Sequence, residues 1–241
     1  MNFESLSLPK TMLRSIEAVG YHEPTPIQEQ TIPHVLKGSD VVGCAQTGTG
    51  KTAAFALPTL QRLLETANRP TTGAGQRRKR SHRRVIRSLI LSPTRELAAQ
   101  IGASLVTYGT FTGLKYTVIF GGVKQHAQVK ALNSGVDILV ATPGRLLDLM
   151  GQGFVHLENV EILILDEADQ MLDMGFIDDV RRIVRQCPKK RQTLFFSATM
   201  PEAINSLAAW TLYKPMEISI GLRVSPADTV EHALYPVDAM G

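Results

Sequence analysis

Short apolar runs alternate with amphipathic stretches along the chain. The apolar runs, rich in β-branched residues, predict strands over residues 40–44, 88–91, 116–120, 136–140, 160–165 and 193–196. Helical spacing of the apolar positions between them predicts helices over residues 53–67, 96–108, 144–150, 177–186 and 201–211. Several strands are apolar almost throughout, which is typical of parallel strands covered on both faces. The alternation therefore predicts an α/β fold of three α/β/α layers with an open, mostly parallel sheet.

The composition fits one large globular domain better than two small ones. The chain has 241 residues, of which 44% are hydrophobic and 20% charged, enough to bury a substantial core. No apolar run reaches the length of a membrane span, and the N-terminus lacks the pattern of a signal peptide, so we expect a cytoplasmic protein without a membrane partner. Cys44 and Cys187 lack the spacing of a disulfide framework or a zinc site, which predicts reduced thiols.

The positive charge is concentrated in one segment. Residues 77–84 (RRKRSHRR) hold six Lys/Arg and no acid, so removing them from the net charge of +4 leaves −2 for the rest. Such a run attracts phosphates in a salt-dependent way, although a solvated surface loop is an equally good interpretation of the run alone. Gly, Thr and Pro before it indicate an insertion near residues 69–84, between a helix and a strand.

A Gly-rich segment, AQTGTGKT at residues 45–52, stands directly after the first strand and before a helix. Its glycines allow a tight turn that aims backbone N–H groups at phosphate oxygens, and the helix adds the positive end of its dipole. The lysine can reach the β- and γ-phosphates of ATP, and the threonine after it can bind Mg²⁺. Because Ala45 replaces the first Gly of the strict pattern, this is a variant phosphate loop. The predicted ATP-binding residues of the loop are Gln46, Thr47, Gly48, Thr49, Gly50, Lys51 and Thr52.

An acidic segment, DEAD at residues 166–169, ends the most apolar strand. Ligands of open α/β sheets bind beyond the carboxyl ends of the strands, so these carboxylates should face the same crevice as the phosphate loop. Asp166 can hold Mg²⁺, partly through water, and Glu167 can polarise the attacking water. With Lys51, they form the predicted catalytic set. Taken alone, an acidic cluster at a helix start can also simply complement the helix dipole.

Five further segments, in order and spacing, make the chain resemble the DEAD-box RNA helicases over most of its length. GYHEPTPIQ at residues 20–28 is similar to the Q motif of that family. The resemblance implies that Gln28 reads the adenine edge, that Tyr21 belongs to the nucleotide pocket, and that Phe3 stacks on the base. Two physical alternatives stand beside it: TPIQ is also a capping box with Pro at the first helical position, and Phe3 can simply pack near the terminus.

Three motifs just past predicted strands resemble the RNA contacts of the family: PTRELA at 93–98, the glycine pair at 121–122 and TPGR at 142–145. Small residues, hydroxyls and helix N-termini suit a sugar-phosphate backbone, which implies RNA binding with little sequence preference. Individually, each motif is more commonly a helix start or a turn, and Arg95 can equally serve a structural ion pair. The predicted RNA-binding residues are Pro93, Thr94, Arg95, Gly121, Gly122, Thr142, Pro143, Gly144 and Arg145.

The last motif, SAT, resembles the segment that couples hydrolysis to strand separation. The hydroxyls of Ser197 and Thr199 could hydrogen-bond the DEAD carboxylates. The resemblance implies an ATP-dependent RNA helicase whose RecA-like P-loop NTPase domain covers residues 1–220. Residues 221–241 are expected to be a linker and the start of a second RecA-like domain in cis, which supplies arginine fingers in this family. Without that domain, ATP hydrolysis should be very slow.

Two other classes of protein remain as alternatives at this stage. A different P-loop ATPase, such as a DNA helicase or a transporter motor, would share Lys51 and Asp166 but has no reason to carry GYHEPTPIQ upstream. A non-catalytic RNA-binding module would leave the ATP site vestigial. The intact GKT and DEAD segments favour a working ATPase.

Overall fold

A seven-stranded sheet forms the centre of the computed structural model, which describes residues 2–67 and 84–221. The strand order is β3-β4-β2-β5-β6-β1-β7, and every pairing is parallel. The predicted mostly parallel sheet is confirmed, since the described strands form a wholly parallel one. The strands are β1 Val41–Ala45, β2 Ser88–Leu91, β3 Tyr116–Ile119, β4 Ile138–Ala141, β5 Ile162–Leu165, β6 Gln192–Ser197 and β7 Met216–Ile220.

Helices connect the strands and also precede the first one, after a short 3₁₀ turn at Phe3–Leu6. Over the described ranges the helices are α1 Lys10–Ala18, α2 Pro26–Lys37, α3 Lys51–Ala67, α4 Arg95–Gly109, α5 His126–Asn133, α6 Pro143–Gly151, α7 Ala168–Asp173, α8 Ile177–Val184 and α9 Glu202–Thr211. The five predicted helices are confirmed as α3, α4, α6, α8 and α9.

Side chains of each inner strand alternate between two apolar layers. In β5, Ile162 and Ile164 join the core formed with α1 to α4, while Leu163 and Leu165 join the core formed with α5 to α9. Successive residues of a strand point to opposite faces, so a strand covered on both sides must be apolar throughout. The three-layer α/β/α architecture predicted from these runs is confirmed.

The strand order divides one rim of the sheet into two neighbouring halves. Because all strands run in the same direction, every loop that follows a strand lies at this rim. The loops after β1, β5 and β6 carry the phosphate loop, the DEAD segment and the SAT segment. The loops after β2, β3 and β4 carry PTRELA, the glycine pair and TPGR. At the centre, β2 pairs with β5, so the two sets of motifs are adjacent.

One strand was not predicted from the sequence. β7 pairs only with β1 among the described residues and stands at the edge of the sheet. Its Met216 and Glu217 are exposed, whereas Ile218 is buried. Such a half-exposed edge strand lacks the continuous apolar run that identifies the inner strands.

Candidate nucleotide and RNA site

The phosphate loop joins β1 to α3 and lies exposed at the rim. Gly48 and Gly50 have backbone φ angles of 85° and 95°, a left-handed conformation that glycine adopts without a Cβ clash. Lys51 begins α3 and is buried, and its Nζ donates a hydrogen bond to the Ala45 carbonyl oxygen at 2.8 Å. The Thr49 hydroxyl donates to the carbonyl oxygen of Gln46 at 2.8 Å. The loop is therefore closed on itself by its own side chains.

Gln28 connects the Q motif to the phosphate loop. Its Oε1 accepts a hydrogen bond from the Thr25 backbone N–H at 3.0 Å, and its Nε2 donates to the Gly50 carbonyl oxygen at 3.1 Å. A Cβ added to Gly50 would lie 2.4 Å from that Nε2. The first bond caps α2, as the sequence predicted, and the second fixes the phosphate loop. The reading of adenine by Gln28 stays a prediction.

The phosphate loop and the DEAD segment meet at one point of the rim. The Thr47 hydroxyl donates a hydrogen bond to Glu167 Oε1 at 3.0 Å across the gap between the two loops. Glu167 has φ 53° and ψ 55°, a left-handed conformation that a residue with a side chain adopts at a cost of about 1–2 kcal/mol. This strained backbone directs the carboxylate towards the phosphate loop, and strain of this kind is concentrated at functional sites.

Asp166 is the most electrostatically perturbed carboxylate of this pocket. Burial raises its pKa to about 7; the nearby Lys51 charge lowers the pKa and the Glu167 charge raises it. Its Oδ1 is buried and has no hydrogen-bond partner among the described residues. A buried carboxylate oxygen without a partner is free to bind a cation, and carboxylate and hydroxyl oxygens, such as those of Asp166 and Thr52, are donors that suit Mg²⁺. Binding of one metal ion by both residues stays a prediction.

Protein side chains alone would not complete the coordination of such a metal ion. The described residues contain no cluster of three His, Cys, Asp or Glu side chains that could hold one. Mg²⁺ usually binds to one or two protein oxygens and completes its octahedron with phosphate oxygens and water. The residues present therefore fit a magnesium ion that arrives with a nucleotide rather than a permanently caged one.

The SAT segment is fastened to the DEAD segment through Asp169. Its Oδ2 accepts hydrogen bonds from the Ala198 N–H, the Thr199 N–H and the Thr199 hydroxyl at 3.1, 2.9 and 3.1 Å. The Asp169 N–H donates to the Ser197 hydroxyl oxygen at 3.1 Å. Burial acts to raise the pKa of Asp169, but the Ser197 and Thr199 groups outweigh it and hold the pKa below its ordinary value. Of the two hydroxyls predicted to bond the DEAD carboxylates, that of Thr199 bonds the Asp169 carboxylate, whereas that of Ser197 accepts the Asp169 N–H and donates to the Thr199 carbonyl oxygen.

The PTRELA segment and the glycine pair touch at the other half of the rim. The guanidinium carbon of Arg95 lies 5.3 Å from the ring centroid of Phe120, a cation–π contact. A Cβ on Gly122, which has φ 75°, would lie 2.6 Å from an Arg95 nitrogen. The Thr94 hydroxyl accepts the Leu97 N–H at 3.2 Å and caps α4. Arg95 is exposed, so its charge remains accessible at the rim.

TPGR is joined to the glycine-pair loop by a residue that the sequence did not reveal. Arg145 donates to the Val123 carbonyl oxygen at 3.0 Å and to Gln128 Oε1 at 3.1 Å. Gln128 in turn donates from Nε2 to the Phe120 carbonyl oxygen at 3.1 Å. Gln128 and Arg145 therefore bracket the loop from both ends. Nothing in the sequence marks Gln128, because a glutamine in a helix has no distinctive pattern.

The predicted RNA-binding residues divide into exposed groups and groups that shape the backbone. Arg95, Gly122 and Gly144 are exposed, and Thr94, Gly121 and Arg145 are partly exposed. Pro93, Thr142 and Pro143 are buried at the starts of α4 and α6. Contact with RNA by any of them stays a prediction, and the buried three can act through the helix starts that they form.

Phe3 and Tyr21 are in different environments. Phe3 is only 4% exposed and packs into the core with α1 to α4, as the packing alternative expects. Tyr21 is exposed, and its ring centroid lies 6.4 Å from that of Tyr108. Their roles at a base stay predictions.

Most of the basic segment and residues 222–241 lie outside the described residues. Arg84, which is described, forms an ion pair with buried Asp137.

A phosphate loop and an acidic strand end that meet on one rim of a parallel sheet define a RecA-like P-loop NTPase domain. The family model of the DEAD/DEAH box helicase matches residues 25–207. The chain belongs to this family.

Similar proteins are distributed across bacteria, plants and archaea. The chain is 44% identical to the DEAD-box ATP-dependent RNA helicase CshA of Streptococcus pneumoniae serotype 4, over 96% of the chain and 41% of that protein. It is 45% identical to DEAD-box ATP-dependent RNA helicase 28 of Oryza sativa subsp. japonica, over 90% of the chain and 26% of that protein. A solved DEAD box protein from Methanococcus jannaschii matches with a TM-score of 0.80 at 40% identity, over 91% of this chain and 56% of that one.

The chain spans less than half the length of these two curated relatives. Among the described residues, every helix is too short or too polar to cross a membrane. The two cysteines are free thiols, as predicted.

Proposed function

We propose that the chain is the ATP-binding part of an ATP-dependent RNA helicase that clamps RNA and locally unwinds short duplexes. The observation that supports this best is the hydrogen bond between the Thr47 hydroxyl and Glu167 Oε1, at 3.0 Å. It supports a single pocket for Lys51, in the same loop as Thr47, and Asp166, the residue before Glu167. A cytoplasmic location remains part of this proposal.

In the proposed reaction, the loop N–H groups and Lys51 bind the β- and γ-phosphates of ATP. Thr52 and Asp166 would hold Mg²⁺, which when bound neutralises phosphate charge and polarises the γ-phosphate. Glu167 orients the attacking water and accepts its proton. The Thr47 hydroxyl holds this carboxylate at the loop before the reaction begins, so it limits the number of orientations that Glu167 can adopt.

Coupling to RNA would proceed through Asp169. Its bonds to the SAT backbone make the DEAD segment and the end of β6 one rigid unit, so a displacement at the γ-phosphate reaches Thr199 directly. A second RecA-like domain in cis would close over this rim and complete the RNA track. ATP would then act as a switch between open and closed states of the two domains. RNA would be held by its backbone, with little sequence preference.

Nucleotide binding by residues 1–241 tests the pocket. We expect a fluorescent ATP analogue to bind in the presence of Mg²⁺, with adenine preferred over guanine, and Lys51→Ala to abolish binding without unfolding the domain. Lys37→Ala removes an equivalent charge from an exposed helix end and should bind like wild type. Undiminished nucleotide affinity in Lys51→Ala would contradict the assignment.

Turnover is measured in a longer protein that contains the second domain. Glu167→Gln should abolish RNA-stimulated ATP hydrolysis while ATP binding persists, because only the proton acceptor is removed. Residues 1–241 alone should show no RNA-stimulated hydrolysis, since an arginine finger is worth about 10³–10⁵ in rate. A wild-type kcat in Glu167→Gln would refute its role as the base.

A further inference from the structure

A second basic run emerges when the charges are placed on the fold. Residues 181–191 (RRIVRQCPKKR) hold six Lys/Arg and no acid, as many as residues 77–84. They form the end of α8 and the loop that leads into β6. Because β6 begins at Gln192, this loop lies at the rim where the strands start. The basic run is thus on the opposite rim from the phosphate loop and the glycine pair.

The loop of this run is fixed to the end of α9. Arg191 donates to the Pro188 carbonyl oxygen at 2.7 Å and to the Thr211 carbonyl oxygen at 3.4 Å. These bonds occupy Arg191 but leave the two lysines between them, Lys189 and Lys190, exposed. Neither lysine forms an ion pair with a carboxylate of the described residues. Their charges are therefore presented to solvent by a loop whose ends are held.

Two exposed aromatic rings near the end of α9 each stand beside a cation. Trp210 is 47% exposed and Tyr213 is 75% exposed. The Arg185 guanidinium carbon lies 5.9 Å from the Trp210 ring centroid, and the Lys214 ammonium lies 5.5 Å from the Tyr213 centroid. A half-exposed ring next to a guanidinium plane is a platform on which a nucleic-acid base can stack.

The position of Tyr213 is set by the fold rather than by chance exposure. Buried Asp40 accepts the Tyr213 N–H at 2.7 Å on one carboxylate oxygen and the Thr193 N–H at 2.8 Å on the other. These bonds tie the segment after α9 to the beginning of β6. The rings and the cations therefore belong to one pre-formed surface. We name it the α8–α9 surface, formed by Arg182, Arg185, Lys189, Lys190, Trp210 and Tyr213.

Beside this surface is a cleft of about 590 Å³ that Arg182 and Arg185 help to line. Its one acidic lining residue is Glu158. Arg182 also pairs with Asp179 at 3.4 Å, an exposed contact of the kind that contributes little. Positive charge therefore dominates both the lining of the cleft and the surface around the adjoining rings.

We infer that the α8–α9 surface is a second contact site for single-stranded RNA. Cations on a held loop suit phosphates, and exposed rings beside them suit bases, which is the combination that binds single strands without sequence preference. An acidic peptide would use the cations but would leave the rings without stacking partners. The inference takes the kind of polymer from the proposed function and assigns it to a separate surface, away from the nucleotide rim.

Binding at this surface should be independent of nucleotide and sensitive to salt. If four cations contact phosphates, the logarithm of the affinity should fall with the logarithm of salt concentration with a slope of about −3. The surface would hold an RNA strand while the opposite rim opens and closes. It would thus keep the substrate on the protein between cycles.

The sole tryptophan of the sequence, Trp210, provides a specific reporter. Residues 1–241 are titrated with a 12-nucleotide oligouridylate without nucleotide, and both tryptophan emission and the anisotropy of labelled RNA are recorded. We expect quenching of Trp210 emission at the same RNA concentration at which anisotropy rises. Lys189→Ala/Lys190→Ala should weaken this binding about tenfold, whereas the matched pair Lys10→Ala/Lys130→Ala, on exposed positions of α1 and α5, should not.

Two further comparisons separate the possible outcomes. Arg95→Ala removes a residue of the nucleotide rim. If it abolishes RNA binding while the lysine pair does not, the second site is refuted and the proposed function stands. If the lysine pair reduces quenching and Arg95→Ala leaves quenching intact, the second site is supported independently of the other rim. A 12-residue glutamate peptide that quenches Trp210 as effectively as RNA, and loses that effect in the lysine pair, would reassign the surface to acidic protein segments.

Discussion

Gly50→Ala tests whether the contact between the Q motif and the phosphate loop holds the nucleotide pocket in shape. Gly50 has φ 95°, and an added Cβ would lie 2.4 Å from Gln28 Nε2 and 2.9 Å from the Thr25 hydroxyl oxygen. Gln28 must therefore move, and its bonds to the Gly50 carbonyl oxygen and the Thr25 N–H are lost together. Gly48→Ala is the matched control, because Gly48 has φ 85° but nothing within 4 Å of its added Cβ.

The two substitutions share every cost except the collision. Left-handed alanine costs about 1–2 kcal/mol in both. Loss of the Gly50 hydrogen bond adds about 0.5–1.5 kcal/mol. Loss of the α2 cap adds about 0.5–2 kcal/mol. We therefore expect Gly50→Ala to lower the free energy of unfolding by about 1–3.5 kcal/mol more than Gly48→Ala.

Urea denaturation of both variants, in wild-type and Gln28→Ala backgrounds, measures this difference. Removing the Gln28 side chain removes its collision with the added Cβ and both bonds, so the gap between Gly50→Ala and Gly48→Ala should largely close, with only the 2.9 Å approach of the Cβ to the Thr25 hydroxyl oxygen left. ATP binding should weaken more in Gly50→Ala than in Gly48→Ala. Equal stability of the two glycine variants, or a gap that persists without Gln28, would refute the argument.

Three other predictions concern carboxylates and loop contacts. Without metal or nucleotide, Asp166→Asn should stabilise the protein by up to about 4 kcal/mol at pH 8, at about 1.4 kcal/mol per pKa unit. The pKa of Asp166 is raised from 3.8 to about 7, so the folded state favours the neutral acid and wild-type stability falls as pH rises from 4 to 7. Urea denaturation at several pH values should therefore show that the stabilisation by Asp166→Asn shrinks towards pH 4. The control Asp178→Asn, at an exposed carboxylate, should show no such trend. Asp169→Asn should leave ATP binding intact but uncouple RNA from hydrolysis in the two-domain protein, because the SAT N–H groups lose their charged acceptor; unchanged RNA stimulation would contradict this. Gln128→Ala should weaken RNA binding several-fold at unchanged ATP affinity, since the bracket between Phe120 and Arg145 is broken, and equal RNA affinity would remove Gln128 from the site.

The inner sheet was predictable because burial on both faces requires apolar residues at every position. The run that became β5, for example, has no polar residue within Ile162–Leu165. β7 was missed because it stands at the edge of the sheet and buries only Ile218, so it lacks the continuous apolar run of the inner strands. Helix α7 has only six residues, too few turns for a helical period to be recognised. Helix α5 buries only Gln128 and Leu132 and so lacks an apolar period, whereas α8, of the same length, buries apolar residues at helical spacing and was predicted.

The site residues could be predicted where they belong to a short sequence motif. They could not be predicted where their role depends on contacts between distant parts of the chain. Lys51 and Thr52 are marked by the loop in which they stand. The left-handed backbone of Glu167 is not marked, since it needs the surrounding fold to impose it. The same is true of the basic run at residues 181–191, whose meaning changes once Trp210 is placed beside it.

At Glu167 the needs of stability and of function conflict, because its left-handed backbone costs stability while its carboxylate serves the proposed reaction. Glycine or asparagine there would relieve about 1–2 kcal/mol of backbone strain. A search for thermostable variants carried out without nucleotide would therefore be drawn to position 167 and would discard the acid needed for turnover. Mutant libraries designed to stabilise this domain should therefore keep Glu167 unchanged.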